Sequence, residues 1–337
     1  MLNKLTLIAS RSSNQIHTLT PDPRPEIRSP MEETLWDSTA LELLHNWSTS
    51  TCYTVAETSV KQDFMRIIVP QIGFSFDFIL HGILAISALH MAHFKPNKEI
   101  FYLAQADRHH NIALRKATSS MAEINGENCH ALYIFAILCS SYTLASGPKP
   151  GDFLLFSEQG LPEWLVFFRG LKTLTGTHGE MLKSSILAPL FETGIRVASQ
   201  QATQPVDAEH LAELQGLIAD SAADTATLET LTTALNELSV CFSFRYNADG
   251  YKQQPSLDSL GVWLYRVSED FVVLLQHRQP AALVILAYFC VLLNDLGAKW
   301  QLKNWVNHLL TGIYECLDGS NRLWMRWSIE EIGWIPQ

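Results

Sequence analysis

Charge is scarce in this sequence. Asp, Glu, Lys and Arg together make up 17% of its 337 residues, against about a quarter in ordinary globular domains. A chain so poor in charge must bury a great deal, or present apolar surface to a partner or ligand. Clustered Lys and Arg are missing too, and the net charge is −10, which excludes direct nucleic-acid binding by most of the chain. The six cysteines, at 52, 129, 139, 241, 290 and 316, form no C-x-x-C and no regular framework. They read as buried, reduced thiols of an intracellular protein, cytoplasmic, nuclear or both. Structural zinc is not expected, because four soft ligands at finger-like spacing are missing.

Strand-like alternation is absent beyond a few residues, and no hairpin dipeptide lies between such runs. A P-loop, a G-x-G-x-x-G turn, a G-x-S-x-G elbow and an H-E-x-x-H helix are all missing. The metal-binding acids of terpene cyclases are missing as well: there is no D-D-x-x-D or D-x-D-D, and Asn294-Asp295 lacks the residues that would complete a second magnesium motif. No cofactor and no metal are therefore expected.

What is present is helical periodicity and apolar bulk. Hydrophobic residues make up 47%, with nine Trp and sixteen Phe. Residues 1–33 hold no acid in the first twenty-one positions, an apolar run (LTLIA) too short for a signal peptide, and a proline-spaced end, PDPRPEIRSP. They read as a disordered leader before one helical domain over 34–337. In ALELLHNW the positions Leu41, Leu44 and Trp47 mark a first helix capped by Asp37 or Ser38. A second helix over Ser59 to Val69 should stop at Pro70. Further helices are expected over 97–124 and 127–145, from Pro162, after Asp207 as a cap, over 224–244, 260–278, 280–296 and 301–317, and near 323–333. SGPKPGDF at 146–153 is the clearest loop. The fold class is all-α: a single large domain of roughly a dozen helices around an apolar core or pocket.

The stretch FDFILHGILAISALHMAHF, 76–94, has the length of a membrane span, yet His81, Ser87 and His90 interrupt it and Asp77 stands near one end. His81, Ala85, Ala88 and Ala92 share one side, a stripe that lets a neighbouring helix approach closely. It reads as a packing helix at the centre of a helical domain; no membrane span is expected. His90 and His93 share a face but have no acid beside them, and the neighbours His109 and His110 cannot point the same way. All read as histidines hydrogen-bonded at a core edge. Asp77 and Glu163 open helices, where the dipole favours a carboxylate. Asp107 is spaced to pair with Arg115. Arg169, directly after the apolar run WLVFF, either snorkels or grips a polar group of a ligand.

Several blocks carry a family resemblance. LELLHNWSTSTCYTV, VPQIGFSFDFILHGILAISALHMA and EWLVFFRGLKTL, with PAALVILAYFCVLLNDL, WVNHLLTGIYECL and WMRWSIEEIG at the end, resemble in order and spacing the C-terminal regulatory domain of fungal zinc-cluster transcription factors. The sterol uptake control type is the subgroup they resemble most. The resemblance spans about Leu41 to Gly333, and departs where Trp327-Ser328 stands in place of the family's Trp-Pro. It implies an all-helical, often dimeric domain with an apolar pocket for a sterol or similar lipid. The family reads DNA with a separate cysteine-rich domain, C-x-x-C-x6-C, which has no counterpart before Cys52. The expectation is thus a regulatory domain that forms a homodimer, binds a hydrophobic small molecule (sterol, terpenoid or polyketide), and does not itself contact nucleic acid.

Two readings stay open. In one the domain senses a ligand; in the other it is a stand-alone biosynthetic enzyme, a cyclase or isomerase that folds a terpenoid or polyene in its pocket. A lone acid deep in the pocket would mark the enzyme, and Asp77, Asp107, Asp152 and Glu158 are the candidates. Phe135, Leu138, Trp164, Phe168 and Tyr288 are the candidate pocket walls, with Arg169 as the polar contact.

Overall fold

The computed structural model describes residues 36–158, 160–170, 186–191, 206–246, 249–253, 256–297 and 299–336. The expected leader and its boundary at residue 33 lie outside the described residues. Asp37 opens the first helix, α1 (Ser38–Thr49), its Oδ1 accepting the Ala40 amide at 2.9 Å. The buried stripe of α1 is Ala40, Leu43 and Trp47, while Leu41 is 64% exposed. Apolar residues three apart suggested Leu41 as a core position. The 3.6-residue period instead aligns 40, 43 and 47 and turns Leu41 outward.

The second helix does not stop at Pro70. α2 (Ser59–Asp63) passes through a π-helical turn, Phe64–Ile68, into α3 (Val69–Gly73). The wider turn lets the chain continue past a residue that has no N–H to donate. Then come α4 (Asp77–Phe94), α5 (Glu99–Met121) and α6 (Cys129–Ser146). A short helix, α7, covers 163–170. The C-terminal half holds α8 (Ala208–Ser221), α9 (Thr225–Phe242), α10 (Leu257–Arg266), α11 (Glu269–Gln276), α12 (Pro280–Asp295) and α13 (Trp305–Cys316). Two short helices, α14 (Gly319–Arg322) and α15 (Arg326–Ile332), end it. The single helix expected over 260–278 is two, because Ser268 caps a new start, its Oγ accepting the Phe271 amide at 3.1 Å. Among the described residues β-structure is limited to isolated bridges, so the domain is all-α.

Two helices form the centre. α4 buries fifteen of its eighteen residues and α12 thirteen of its sixteen. α4 packs most extensively on α5, then on α6 and α1. Ala85, Ala88 and Ala92 of α4 and Ala106, Ala113 and Ala117 of α5 are all buried. Small side chains on both helices suit close packing. α4 and α6 are long and apolar enough to cross a membrane by length and composition, and α11 with α12 would pass the same test as a pair bent by 105°. α4 nevertheless meets protein on every side, 83% of it being buried. The two halves are joined by the segment before α13. Trp300 Nε1 donates to Thr54 Oγ1 at 3.1 Å, Gln301 Nε2 to the Thr54 carbonyl at 2.8 Å, and Trp305 Nε1 to the Leu144 carbonyl at 2.9 Å. All six cysteines are free thiols, five of them buried.

Candidate functional site

Where α4 ends, α5 begins and α13 crosses beside them, the helices leave a cleft of about 1010 Å³. Its apolar floor is Leu89, Ala92, Leu103, Phe153 and Trp300; Glu99, Glu158, Arg278, Lys303 and Glu315 charge its rim. The loop read from SGPKPGDF forms one wall. Gly147 ends α6 at φ 78° and Gly151 turns at φ 82°, conformations that need no Cβ. Gly312 on α13 admits the Phe153 ring, since a Cβ there would lie 3.0 Å from Phe153 Cζ. His308 Nε2 donates to the Asp152 carbonyl at 2.9 Å and fixes the same loop.

Backbone strain gathers at this cleft. Three non-glycine residues among those described have positive φ: Leu154 at 65°, Arg278 at 54° and Asn304 at 69°. Arg278 and Asn304 line the cleft, and Leu154 follows Phe153 in its wall. The left-handed conformation costs roughly 1–2 kcal/mol for a residue such as Leu or Arg, and strain of this kind collects at functional sites. Arg278 reaches Glu158 at 3.2 Å and donates to Cys316 Sγ at 3.2 Å.

Three polar clusters, each with at least one buried member, lie outside the cleft. In the first, His81 and His109 face each other, Nδ1 to Nδ1 at 2.8 Å, with Trp36 stacked on His81. Only one of those nitrogens carries the shared proton. Burial pushes both histidines down to about 4, for His81 with help from Lys116 and Arg108, for His109 from His81 and Arg108. His90 is pushed down to about 4 by burial and by His93; its Nδ1 lies 3.2 Å from Thr51 Oγ1. In the second, His110 Nε2 donates to Glu163 at 2.9 Å, its ring stacked 3.7 Å above Tyr142, whose hydroxyl donates to Asp107 at 2.7 Å. The hydrogen bond from His110 lowers the Glu163 carboxyl. Burial and the Glu163 charge raise the neighbouring Cys139 thiol. In the third, Arg245 bonds to Asp207 at 3.0 Å and to Asp295 and Glu331. Burial opposes its charge, but the bonds to Asp295 and Asp207 outweigh that and hold it above its ordinary value.

The residues singled out from sequence fall in different places. Glu158 is on the cleft rim; Asp152 sits in the neighbouring loop without lining the cleft, its Oδ2 accepting the Lys149 amide at 2.9 Å. Asp77 is exposed and paired with Lys116. Asp107 accepts from Tyr142 rather than pairing with Arg115, because α6 brings a hydroxyl closer than two helical turns bring the guanidinium. Phe135, Leu138, Trp164, Phe168 and Arg169 come together on α6 and α7. Phe135 packs edge-on to Phe78 and Phe167, Leu138 closes on Gly82, and Trp164 meets Phe168. Arg169 is half-buried. Tyr288 is apart from them, buried on α12 beside Trp327. None of these six lines the cleft. Asp207 begins α8 as expected, but its side chain serves Arg245 rather than the helix amides. In the sequence Arg278 and His308 carried no signal and Cys316 read only as a buried thiol, whereas Cys316 is partly exposed on the cleft wall; a turn residue and the outer face of one helix carry no local pattern.

Comparison with known proteins gives similarities at the level of sequence. Residues 42–196 match the family model described as fungal specific transcription factor domain. A Zn(2)-C6 fungal-type transcription factor of Gibberella zeae is 25% identical over 312 residues, covering 86% of this chain and 61% of that protein. The Zn(2)-C6 fungal-type transcription factor afumD of Aspergillus fumigatus is 25% identical over 273 residues, 77% of this chain and 69% of that protein. Sterol uptake control protein 2 of Saccharomyces cerevisiae is 26% identical over 137 residues, 40% of this chain and 15% of that protein. The chain thus spans about three fifths of the Gibberella relative. It is an all-α domain with family-level similarity, at low identity, to the domains associated with fungal Zn(2)-C6 transcription factors.

Proposed function

We propose that this domain is a regulatory unit of the transcription-factor type, and that an amphipathic lipid of the sterol, terpenoid or polyketide class sets its state by entering the cleft. The observation that carries the reading is the cleft itself: about 1010 Å³, with an apolar floor, a charged rim and a strained wall. Its volume is at the upper end of small-molecule sites, roughly 300–1,000 Å³. Burying about 100 Å² of apolar ligand surface would supply roughly 2–3 kcal/mol before the costs of association; the polar rim would have to supply the rest. The rim offers Arg278 and Lys303 to a ligand's hydroxyl or carboxylate. A homodimer working in the cytoplasm or nucleus, without contacting DNA through this domain, completes the reading.

The enzyme reading has less support. Each acid that was a candidate for proton transfer is engaged: Asp77 by Lys116, Asp107 by Tyr142, Asp152 by the Lys149 amide and Glu158 by Arg278. None stands alone against an apolar wall, which is what raises a carboxyl into the range of a general acid. To test the regulatory reading, the purified protein is extracted for bound lipid by mass spectrometry and titrated with a sterol and a terpenoid acid, with tryptophan fluorescence as the signal. Ala92→Phe, which fills the floor, should weaken binding at least tenfold. No retained lipid, together with titrations that Ala92→Phe leaves unmoved, would overturn it.

A further inference from the structure

We propose that His110, Cys139 and Glu163 form a binding site for a zinc-class divalent ion, with a solvent molecule as the fourth ligand. One nitrogen, one sulfur and one carboxylate oxygen, from α5, α6 and α7, all lie within 4.8 Å of one another. Around a tetrahedral ion with bonds of about 2.0–2.3 Å, such donors stand roughly 3.3–3.7 Å apart. The present arrangement therefore needs only a small adjustment, and the parts differ in their freedom to make it. Cys139 is buried in the middle of α6. His110 is clamped by Tyr142, its ring parallel to within 5°, and Tyr142 is held by Asp107. Clamping of that kind orients metal-binding histidines. Glu163 is half exposed, so its carboxylate is free to swing and the fourth position opens to water.

The donor set selects the ion. A thiolate with an imidazole favours zinc or cobalt over magnesium or calcium, which take oxygen ligands. On binding, the Cys139 thiol releases one proton to solvent. His110 moves its proton from Nε2 to Nδ1 and so presents a lone pair, and Glu163 changes from hydrogen-bond acceptor to ligand. The ion then ties α5, α6 and α7 together. This site is separate from the cleft and does not depend on what the cleft binds.

Cobalt(II) is the probe, added to the full chain freed of metal by chelation. Expected are one equivalent bound, visible absorption typical of four-coordinate cobalt, a near-ultraviolet thiolate-to-cobalt band, and one proton released per ion by calorimetry in two buffers. Cys139→Ser abolishes the near-ultraviolet band, whereas Cys129→Ser keeps it. Glu163→Gln, at an exposed position that does not threaten folding, weakens binding at least tenfold. The proposal fails if millimolar cobalt does not bind, if the band survives Cys139→Ser, or if Glu163→Gln binds as tightly as the parent.

Discussion

The two central helices have the same apolar signature and opposite interiors. α4 carries His81, Ser87 and His90 fully or nearly buried in its middle, while the buried part of α12 has no polar group but the Tyr288 hydroxyl and the weakly polar Cys290 thiol. Around α4 each of these groups meets a polar neighbour. Ser87 Oγ donates to the Leu43 carbonyl at 2.7 Å, Asn46 Nδ2 donates to Ser87 at 2.9 Å, and His81 faces His109. Around α12 the polar work is done at the ends: Gln279 caps the start and Asp295 meets Arg245 at the finish. A hydrophobic run therefore tells that a helix is central but not how it is held. In one half the hold is a set of neutral hydrogen bonds within the core; in the other it is a charged knot at the edge of an apolar core.

The largest expected effect of a single substitution comes from cutting that knot. Arg245→Met leaves Asp207 and Asp295 buried without their guanidinium; Lys252, 2.7 Å from Asp295, compensates only in part. Removing one partner of a buried charge cluster costs about 3–5 kcal/mol. Urea unfolding at neutral pH measures it, and a loss below about 1 kcal/mol would show that the C-terminal half does not rely on the knot.

The neutral network around α4 gives the next effect, and its signature is pH. His81, His90 and His109 are held at about 4 in the fold, against about 6.5 in the unfolded chain. Above pH 6.5 both states carry neutral rings and nothing is lost. As pH falls from 6.5 to 4, the unfolded chain takes up protons that the fold refuses, and stability drops by about 1–3 kcal/mol per histidine. The charged groups acting on the His81–His109 pair are Lys116, Arg108, Asp77 and Asp37; the acids oppose the shift and reduce the drop. Denaturant midpoints between pH 7.5 and 4.5 measure the slope, and replacing both His81 and His109 with Leu should flatten it. An unchanged slope would mean that other groups set the acid limit.

Much of the architecture was legible in the sequence because it rests on local chemistry. The all-α class, the buried α4 with its alanine stripe, the Asp37 cap and the 146–153 loop follow from period, capping oxygens, proline and glycine. Errors arose where a tertiary partner overrode a local preference: the π-turn before Pro70, Ser268 restarting a helix, and Asp207 diverted to Arg245. The candidate sites were far less legible. His110, Cys139 and Glu163 come from three helices with more than twenty residues between successive members, so no spacing rule joins them. The aromatic residues chosen for the pocket were the bulky ones near α7, and bulk does not say whether a side chain fills space or borders it. Of the four acids, only Glu158 shares the cleft rim with Arg278.

That pair provides the smallest effect on stability and the sharpest functional contrast with Arg245. Glu158 and Arg278 are exposed at 68% and 47%, so solvent screens their attraction. Exposed pairs contribute about 0–1 kcal/mol, and Glu158→Gln should leave the unfolding midpoint close to that of the parent. Its effect belongs on binding: with the carboxylate gone, Arg278 is released toward the cleft and an anionic amphiphile should bind several-fold more tightly, while a neutral sterol changes little. Arg278→Gln removes the cation and should reverse the first result. Gln carries the same left-handed cost as Arg at φ 54°, so the backbone strain is unchanged and stability, measured alongside, should stay close to that of the parent. If both variants bind the acid and the sterol like the parent, the rim charges are bystanders, and the resemblance between this salt bridge and the Arg245 knot ends at their chemical formula.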